Sequence, residues 1–294
     1  MPSTSPIHNS RGAFRTPGTL YVVATPIGNR EDITLRALRV FREVDLIAAE
    51  DTRHTRRFLR HHGVSGRFVS YQEHNEAKRT PELIKRLKGG AVIALVSEAG
   101  TPAVSDPGFR LVRAAIEAGV DVVPVPGACA AVCALSVSGL PTDAFVFVGF
   151  LPKKKGDRQR QLATLSVLKK TLIFYESPHR IRALVKEIQG VMGDRFAVIC
   201  REMTKLHEEI LRGSLSMLSL QLERRTEIKG ECTLLVAGAA DAPAFSEKDL
   251  MEELREAITK GDRSLSEISK ETARRHGLSR RAVYEEALRV KNGL

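Results

Sequence analysis

Short apolar runs alternate with helical patterns through the first half of the sequence. The run at residues 91–96 lies between two glycines and a loop with two prolines, which is typical of a strand buried on both faces. Comparable runs predict further strands at residues 19–24, 45–49, 69–71, 120–125 and 145–150. Helices between them are expected at residues 33–43, 75–87, 107–119 and 130–138. This alternation predicts a parallel sheet with helices on both of its faces.

Stiff loops follow several of these strands. They cover residues 25–29, 50–55, 97–108 and 126–130. In the longest, S-E-A-G-T-P-A-V-S-D-P-G, we expect Asp106 to cap the next helix and Pro107 to open it, as Asp32 caps the first helix. Because the carboxyl ends of parallel strands meet at one edge of a sheet, these loops are expected to form one crevice. Their small residues, prolines and backbone amides suit a flat heteroaromatic ligand with polar ends.

The second half predicts a smaller α/β unit and a helical end. After L-P-K-K-K-G at residues 151–156, strands are expected at residues 171–175, 196–200, 209–213 and 232–237, with a helix at residues 178–188. Hairpin-like connections indicate a mixed sheet. An Ala, Pro and Asp-rich linker at residues 239–246 leads to predicted helices at residues 247–258, 265–276 and 280–290. Ala273, Gly277 and Val283 in these helices have helix-turn-helix spacing.

These patterns define a domain prediction. It comprises a disordered N-terminal tail at residues 1–17, α/β domains at 18–150 and 151–240, and a helix-turn-helix-like segment at 241–294.

Composition narrows the range of functions. The net charge of +11 over 294 residues favours a polyanionic partner such as RNA, although a merely basic enzyme fits equally well. No apolar run approaches the roughly 20 residues of a membrane span, so no membrane association is expected. The four cysteines lack C-x-x-C pairing and zinc spacing, which predicts reduced thiols, a cytoplasmic location and no metal. Phosphate-loop, dinucleotide, nucleophile-elbow and H-E-x-x-H motifs are all missing from the sequence.

A series of motifs resembles one known family. The segments T-P-I-G-N, A-E-D-T-R-H-T, S-E-A-G-T-P-A-V-S-D-P-G, V-P-G-A-C-A, Y-E-S-P-H-R, R-E-M-T-K-L-H-E-E and K-G-E-C occur in the order of the small-subunit rRNA methyltransferase I family. The resemblance covers residues 18–238, and G-L-S-R-R-A-V-Y extends it into the last helices. It implies the tetrapyrrole-methylase fold, with two α/β domains and S-adenosylmethionine (SAM) in the cleft between them. It also implies a homodimer that methylates the ribose 2′-hydroxyl of a decoding-region cytidine in 16S rRNA.

The same resemblance assigns a cofactor site. It comprises Pro26, Gly28, Glu98, Gly100, Thr101, Ala103, Val104, Ala128, Ala130, Tyr175 and Glu176. Glu98 stands where the family usually has Asp, and Arg30 replaces a usually apolar residue. A ribose hydroxyl is a poor acid, so a base or a strongly oriented hydrogen bond is needed. The candidates for the base are His179, Glu98 and Lys205. His179 has a suitable ordinary pKa, but contact with an RNA phosphate or its own backbone explains it equally well.

Basic residues near the predicted crevice and around the turn between the last two helices are candidates for RNA binding. They are Arg53, His54, Arg56, Arg57, Lys153, Lys154, Lys155, Arg158, Arg180, Arg201, Arg280 and Arg281. The alternatives are a solvated helix face for the first four, a charged linker for the lysine cluster, and a solvated helical hairpin for the last two. For Arg180 and Arg201 the alternative is ion pairing with nearby glutamates. Two other functions therefore stay open: methylation of a tetrapyrrole or other small molecule, and nucleic-acid binding without catalysis.

Overall fold

The computed structural model describes residues 18–239, 247–261, 263–276 and 279–292. The chain divides between Gly238 and Ala239 into two compact units. Two five-stranded sheets belong to the first unit, and three helices belong to the second. The predicted tail at residues 1–17, the linker beyond Ala239 and the turn residue Gly277 lie outside the described residues.

The first sheet is entirely parallel, as the alternating pattern predicted. Its strands are β1 (Thr19–Val23), β2 (Leu46–Ala49), β3 (Phe68–Ser70), β4 (Ile93–Val96) and β5 (Asp121–Val125). They run in the order β3-β2-β4-β1-β5. The central strand β4 is buried on both faces: Ile93 and Leu95 pack into one apolar core, and Ala94 and Val96 pack into the other. Successive side chains of a strand point to opposite faces, so each core needs its own cover of helices.

Helices cover both faces of this sheet. They are α1 (Leu35–Glu43), α2 (Thr52–His61), α3 (Glu76–Lys88) and α4 (Phe109–Glu117). Apolar residues of α1 and α2 pack on one face, and those of α3 and α4 pack on the other.

Two predicted helix caps are wrong. Thr34 caps α1, since Arg30–Asp32 forms a separate 3-10 turn. Gly108, with φ 142°, precedes α4, so the helix begins after Asp106 and Pro107 rather than at them. Because Asp106 is not a cap, its carboxyl group is available for other contacts.

The second sheet is mixed, as predicted. Its strands are β6 (Phe145–Phe150), β7 (Thr171–Glu176), β8 (Phe196–Arg201), β9 (Glu209–Ser214) and β10 (Cys232–Val236). They run in the order β6-β7-β10-β8-β9, with β6 parallel to β7 and the other pairs antiparallel. The prediction placed β6 in the first domain, which is wrong, because Phe145 pairs with Thr171 of β7. The border between the two sheets therefore falls before residue 145 rather than at residue 150.

Four helices cover this second sheet. They are α5 (Ala130–Ser138), α6 (Lys155–Leu165), α7 (Ile181–Met192) and α8 (Leu215–Glu223). Leu162, Leu184 and Leu218 place α6, α7 and α8 against one face, while Ala134 and Leu135 place α5 against the other. The sequence analysis did not predict α6 and α8, and α7 begins three residues later than expected.

The second unit consists of α9 (Glu247–Lys260), α10 (Leu265–His276) and α11 (Arg280–Asn292). These helices agree closely with the predicted ones. Leu254, Ala273, Val283 and Ala287 are buried in a core of their own. Within the described residues, no helix is both long and apolar enough to cross a membrane.

Candidate active site

A cavity of about 640 Å³ lies in the first unit, beside the carboxyl ends of the first sheet's strands. All four predicted loops contribute to its lining, through residues 25–28, 50, 54–55, 97–101, 104–106 and 129–130. Strands of the second sheet and the loops after them contribute residues 175–178, 203, 205 and 230–233. Both sheets therefore form the walls of one site, and its volume falls in the usual range for small-molecule pockets, about 300–1,000 Å³.

Most residues of the predicted cofactor site lie in this lining. They are Pro26, Gly28, Glu98, Gly100, Thr101, Val104, Ala130, Tyr175 and Glu176. Ala103 and Ala128 are not in the lining. The carbonyl of Ala128 instead accepts a hydrogen bond from Oγ1 of Thr101 at 3.3 Å, which ties two of the loops together.

Backbone contacts hold the loop at residues 97–108 in a fixed conformation. The amide of Thr25 donates to the carbonyl of Gly100 at 2.8 Å, and the amide of Gly100 donates back at 3.1 Å. Ala103 and Ser105 have φ values of 67° and 64°, which non-glycine residues seldom adopt. Strained backbone of this kind persists only where surrounding contacts determine it, and it clusters at functional sites.

The two α/β halves touch at Gly28. The amide of Asn29 donates to Oγ1 of Thr204 at 2.9 Å, which joins the first loop to the segment after β8. A Cβ atom at Gly28 would lie 2.5 Å from Cγ of Lys205 and 2.9 Å from the carbonyl oxygen of Met203. Glycine is therefore required at this position by close approach.

Five carboxyl groups of the described residues line the cavity: Glu50, Glu98, Asp106, Glu176 and Glu231. Burial is the largest cause of a raised pKa of Asp106, and the charges of Glu50, Glu98 and Glu231 raise it further, to about 6. A hydrogen bond from Ser97 acts in the opposite direction. Glu50, Asp106 and Glu231 were not predicted to belong to the site. For Asp106 the sequence held one indication. Because Gly108 can precede a helix without a side-chain cap, Asp106 need not cap α4 and can belong to the site.

The three candidate bases occupy different environments. His179 is exposed and does not belong to the lining. Nζ of Lys205 donates to Oε1 of Glu202 at 2.7 Å and to Oε2 of Glu231 at 2.8 Å. Burial lowers the pKa of Lys205, but these two hydrogen bonds outweigh it, so the net pKa is raised. A lysine held in its protonated form is unsuited to accepting a proton.

Glu98 is the candidate base that lies in the lining without a lysine or arginine partner among the described residues. Its Oε1 lies 3.3 Å from Nδ1 of His54, and its side chain is 60% exposed. Its backbone amide donates to Oε2 of Glu50 at 3.1 Å, which fixes the start of the loop.

Tyr175 and Glu176 end β7 at the wall of the cavity. The hydroxyl of Tyr175 accepts a hydrogen bond from the amide of Ala131 at 3.0 Å, so the ring anchors the start of α5. Burial, followed by the neighbouring Cys129, raises the pKa of Tyr175. Glu176 is buried, and its Oε2 lies 2.9 Å from Nη2 of Arg180.

Comparison with known proteins identifies the family. Residues 19–219 match the family model described as Tetrapyrrole (Corrin/Porphyrin) Methylases. A Synechocystis protein named ribosomal RNA small subunit methyltransferase I is 46% identical over 93% of this chain and 99% of its own length. The protein of that name from Escherichia coli O157:H7 is 43% identical over 95% of this chain and 97% of its own. The chain belongs to the ribosomal RNA small subunit methyltransferase I family.

Solved structures support the fold. Uroporphyrin-III C-methyltransferase from Thermus thermophilus has a TM-score of 0.54 and 22% identity, covering 76% of this chain and 95% of that one. A structure of the same enzyme complexed with S-adenyl homocysteine has a TM-score of 0.52 and 20% identity, covering 74% and 96%. At these identities the structural similarity confirms that the chain has the tetrapyrrole-methylase fold.

The predicted RNA-binding residues of the first unit fall into two groups. In the second α/β half the arginines are ion-paired: Arg158 with Glu187 at 2.7 Å, Arg180 with Glu176, and Arg201 with Glu209 at 3.1 Å. For Arg180 and Arg201 this is the alternative given above, ion pairing with nearby glutamates. Exposed residues form the other group in the first unit: Arg53, His54, Arg56, Arg57, Lys153, Lys154 and Lys155.

Two predicted RNA contacts lie in the second unit. Nη2 of Arg280 donates to Oγ of Ser266 at 2.9 Å, and Arg281 pairs with Glu285 at 3.1 Å. Both arginines are exposed.

Proposed function

We propose that this protein transfers a methyl group from SAM to the ribose 2′-hydroxyl of a decoding-region cytidine in 16S rRNA. The identity of 43–46% to ribosomal RNA small subunit methyltransferases, over 97–99% of their length, carries the proposal. The net charge of +11 agrees with a polyanionic substrate. A ribosomal substrate would place the enzyme in the cytoplasm.

The cavity has the chemistry that SAM requires. Oγ1 of Thr25 is buried in its lining and has no hydrogen-bond partner among the described residues, so a polar ligand atom would satisfy it. The five carboxyl groups of the lining supply negative charge for a cationic ligand. We assign the contacts with SAM to the predicted cofactor-site residues that belong to the lining. Gly28 and Gly100, which have no side chain, leave the backbone there accessible to the cofactor.

When bound, SAM supplies an electrophilic methyl group on a positively charged sulfur. The protein must then orient the ribose hydroxyl and take its proton. Among the predicted candidates Glu98 has the suitable position, while Lys205 is held protonated by Glu202 and Glu231. We therefore assign proton acceptance to a cavity carboxylate, with Glu98 the predicted residue and Asp106 the neighbouring one. The fixed loop positions these groups, which accounts for a large part of the rate enhancement in such reactions.

We also propose that the protein forms a homodimer. Large apolar side chains are exposed on α4, α5 and β6: Phe109, Ile116, Val132, Val137 and Phe145. Exposed apolar surface of this kind marks interaction sites on soluble proteins. A second copy of the chain would remove it from water.

Incubation of the purified protein with tritiated SAM and immature small subunits tests the function. We expect label on one cytidine ribose, and loss of that label when the target carries a 2′-deoxyribose. Label on a base would refute the proposal. Methylation of a tetrapyrrole without RNA would favour the small-molecule alternative. A melting temperature unmoved by SAM would favour nucleic-acid binding without catalysis, because a ligand that binds only the folded state must stabilise it.

A further inference from the structure

One face of α2 carries a stripe of arginines. Arg53, Arg56, Arg57 and Arg60 follow the spacing i, i+3, i+4 and i+7, which places them along one side of a helix. All four are exposed, and none forms an ion pair within the part of the chain that the structure describes. The helix sequence T-R-H-T-R-R-F-L-R-H contains no acidic residue.

This stripe opposes the stability of its own helix. Four pairs of like charges lie three or four residues apart: 53 with 56, 53 with 57, 56 with 60, and 57 with 60. Each such pair costs about 0.2–0.5 kcal/mol, so together they cost about 1–2 kcal/mol. Other helices offset comparable charges, as where Arg113 pairs with Glu117 at 2.8 Å on α4. Arg56 lies over the ring of Phe68, 4.9 Å from its centre, but no carboxylate of the described residues forms an ion pair with the stripe. The unpaired charge indicates a partner outside the chain.

The helix that carries the stripe also lines the cavity, through its other face. His54, Thr55 and Phe58 on the same helix belong to the cavity lining, as does the exposed Arg30. At 1.5 Å per residue, Arg53 and Arg60 lie about 10 Å apart along the helix axis. That distance spans about three nucleotides of one strand, at 3.4 Å each. A strand with one base at the cavity would therefore carry its neighbouring phosphates along α2.

Alternative basic surfaces are less suited to binding phosphate. Arg158, Arg180 and Arg201 hold carboxylates of their own chain, so a phosphate would have to displace Glu187, Glu176 or Glu209. On the opposite face of the first sheet, Arg79, Arg110 and Arg113 are paired with Glu82, Glu76 and Glu117.

We propose that Arg30 and the α2 stripe, Arg53, Arg56, Arg57 and Arg60, form the surface that binds the phosphates of the rRNA strand entering the cavity. This assignment rests on the proposed function, and it adds Arg30 and Arg60 to the predicted RNA contacts. It also removes Arg158, Arg180 and Arg201 from them, because their guanidinium groups stabilise the second α/β half instead.

The test compares two triple variants of equal charge in the full chain. One is R56Q/R57Q/R60Q on α2, and the control is R79Q/R86Q/R110Q on the opposite face, where Arg86 is also exposed. Binding to unmodified small subunits is measured across a range of salt concentrations. Each lost phosphate contact lowers the slope of log K against log salt by about 0.7–0.9, so the α2 variant should lose about 2–3 in slope. We expect its affinity at moderate salt to fall at least ~10-fold, with the control near wild type.

Further measurements separate this proposal from the proposed function. Calorimetry with S-adenosylhomocysteine should give the same affinity for the wild type and the α2 variant, and R56K/R57K/R60K should restore subunit binding. In turnover, the α2 variant should raise KM for the subunit and leave kcat unchanged. Equal slopes for the two triple variants, including an equal loss in both, would overturn the proposal. A wild type that binds subunits through α2 but methylates no ribose would instead contradict only the proposed function.

Discussion

Asp106 provides a direct test of the electrostatics of the cavity. Its carboxyl group is more than half buried, and its pKa is raised from 3.8 to about 6, first by burial and then by Glu50. A carboxyl whose pKa is higher in the folded state binds its proton more tightly there. Its contribution to stability is therefore fully present below pH 3.8 and is lost as the pH rises through about 6.

The size of this effect follows from the shift. The pKa of Asp106 differs by about 2.2 between its ordinary value of 3.8 and about 6 in the folded protein. At 1.36 kcal/mol per pKa unit, this corresponds to about 3 kcal/mol at most. Asp106→Asn keeps the shape and removes the charge. At pH 8 the variant should therefore be more stable than the wild type by up to about 3 kcal/mol, and the difference should vanish near pH 4. Urea unfolding across this pH range measures it.

Asp143→Asn, at an exposed position, is the matched control and should change the free energy of unfolding little at any pH. A less stable Asp106→Asn at pH 8 would refute the reasoning, because the hydrogen bond from Ser97 would then outweigh burial. A difference that does not depend on pH would refute it as well. A gain in stability accompanied by slower methyl transfer is the expected pattern for a residue retained for function at a cost in stability.

Two further changes test the architecture of the site. Gly28→Ala should destabilise the fold by about 1–3 kcal/mol and weaken S-adenosylhomocysteine binding, because its methyl would meet the backbone of Met203. Gly156→Ala, with no atom within 4 Å, is the control, and equal effects at both glycines in urea unfolding and calorimetry would contradict the close approach. For the dimer, sedimentation should give twice 32.4 kDa for the wild type and 32.4 kDa for Ile116→Glu with Val132→Glu. A monomeric wild type would refute that part of the proposal.

Local pattern determined much of this molecule. The apolar run that became β4 was identifiable because a strand buried on both faces has no polar positions. The alternation of strands and helices then determined a parallel sheet and placed four loops at one edge, where the cavity lies. Periodicity and turn residues report on neighbours in the chain, so they suffice for these features.

The tertiary structure decided which distant groups meet. The apolar pattern of β6 is compatible with either sheet, and only its pairing with β7 assigns it to the second. Arg158 and Arg57 are equally basic in the sequence, but Glu187, 29 residues away, pairs with Arg158, whereas no carboxylate reaches Arg57 within the described residues. Likewise Asp106 is a cavity carboxyl rather than a helix cap because α4 begins only after Gly108. The sequence shows which residues are ionisable, but their desolvation and their partners depend on contacts between residues far apart in the chain.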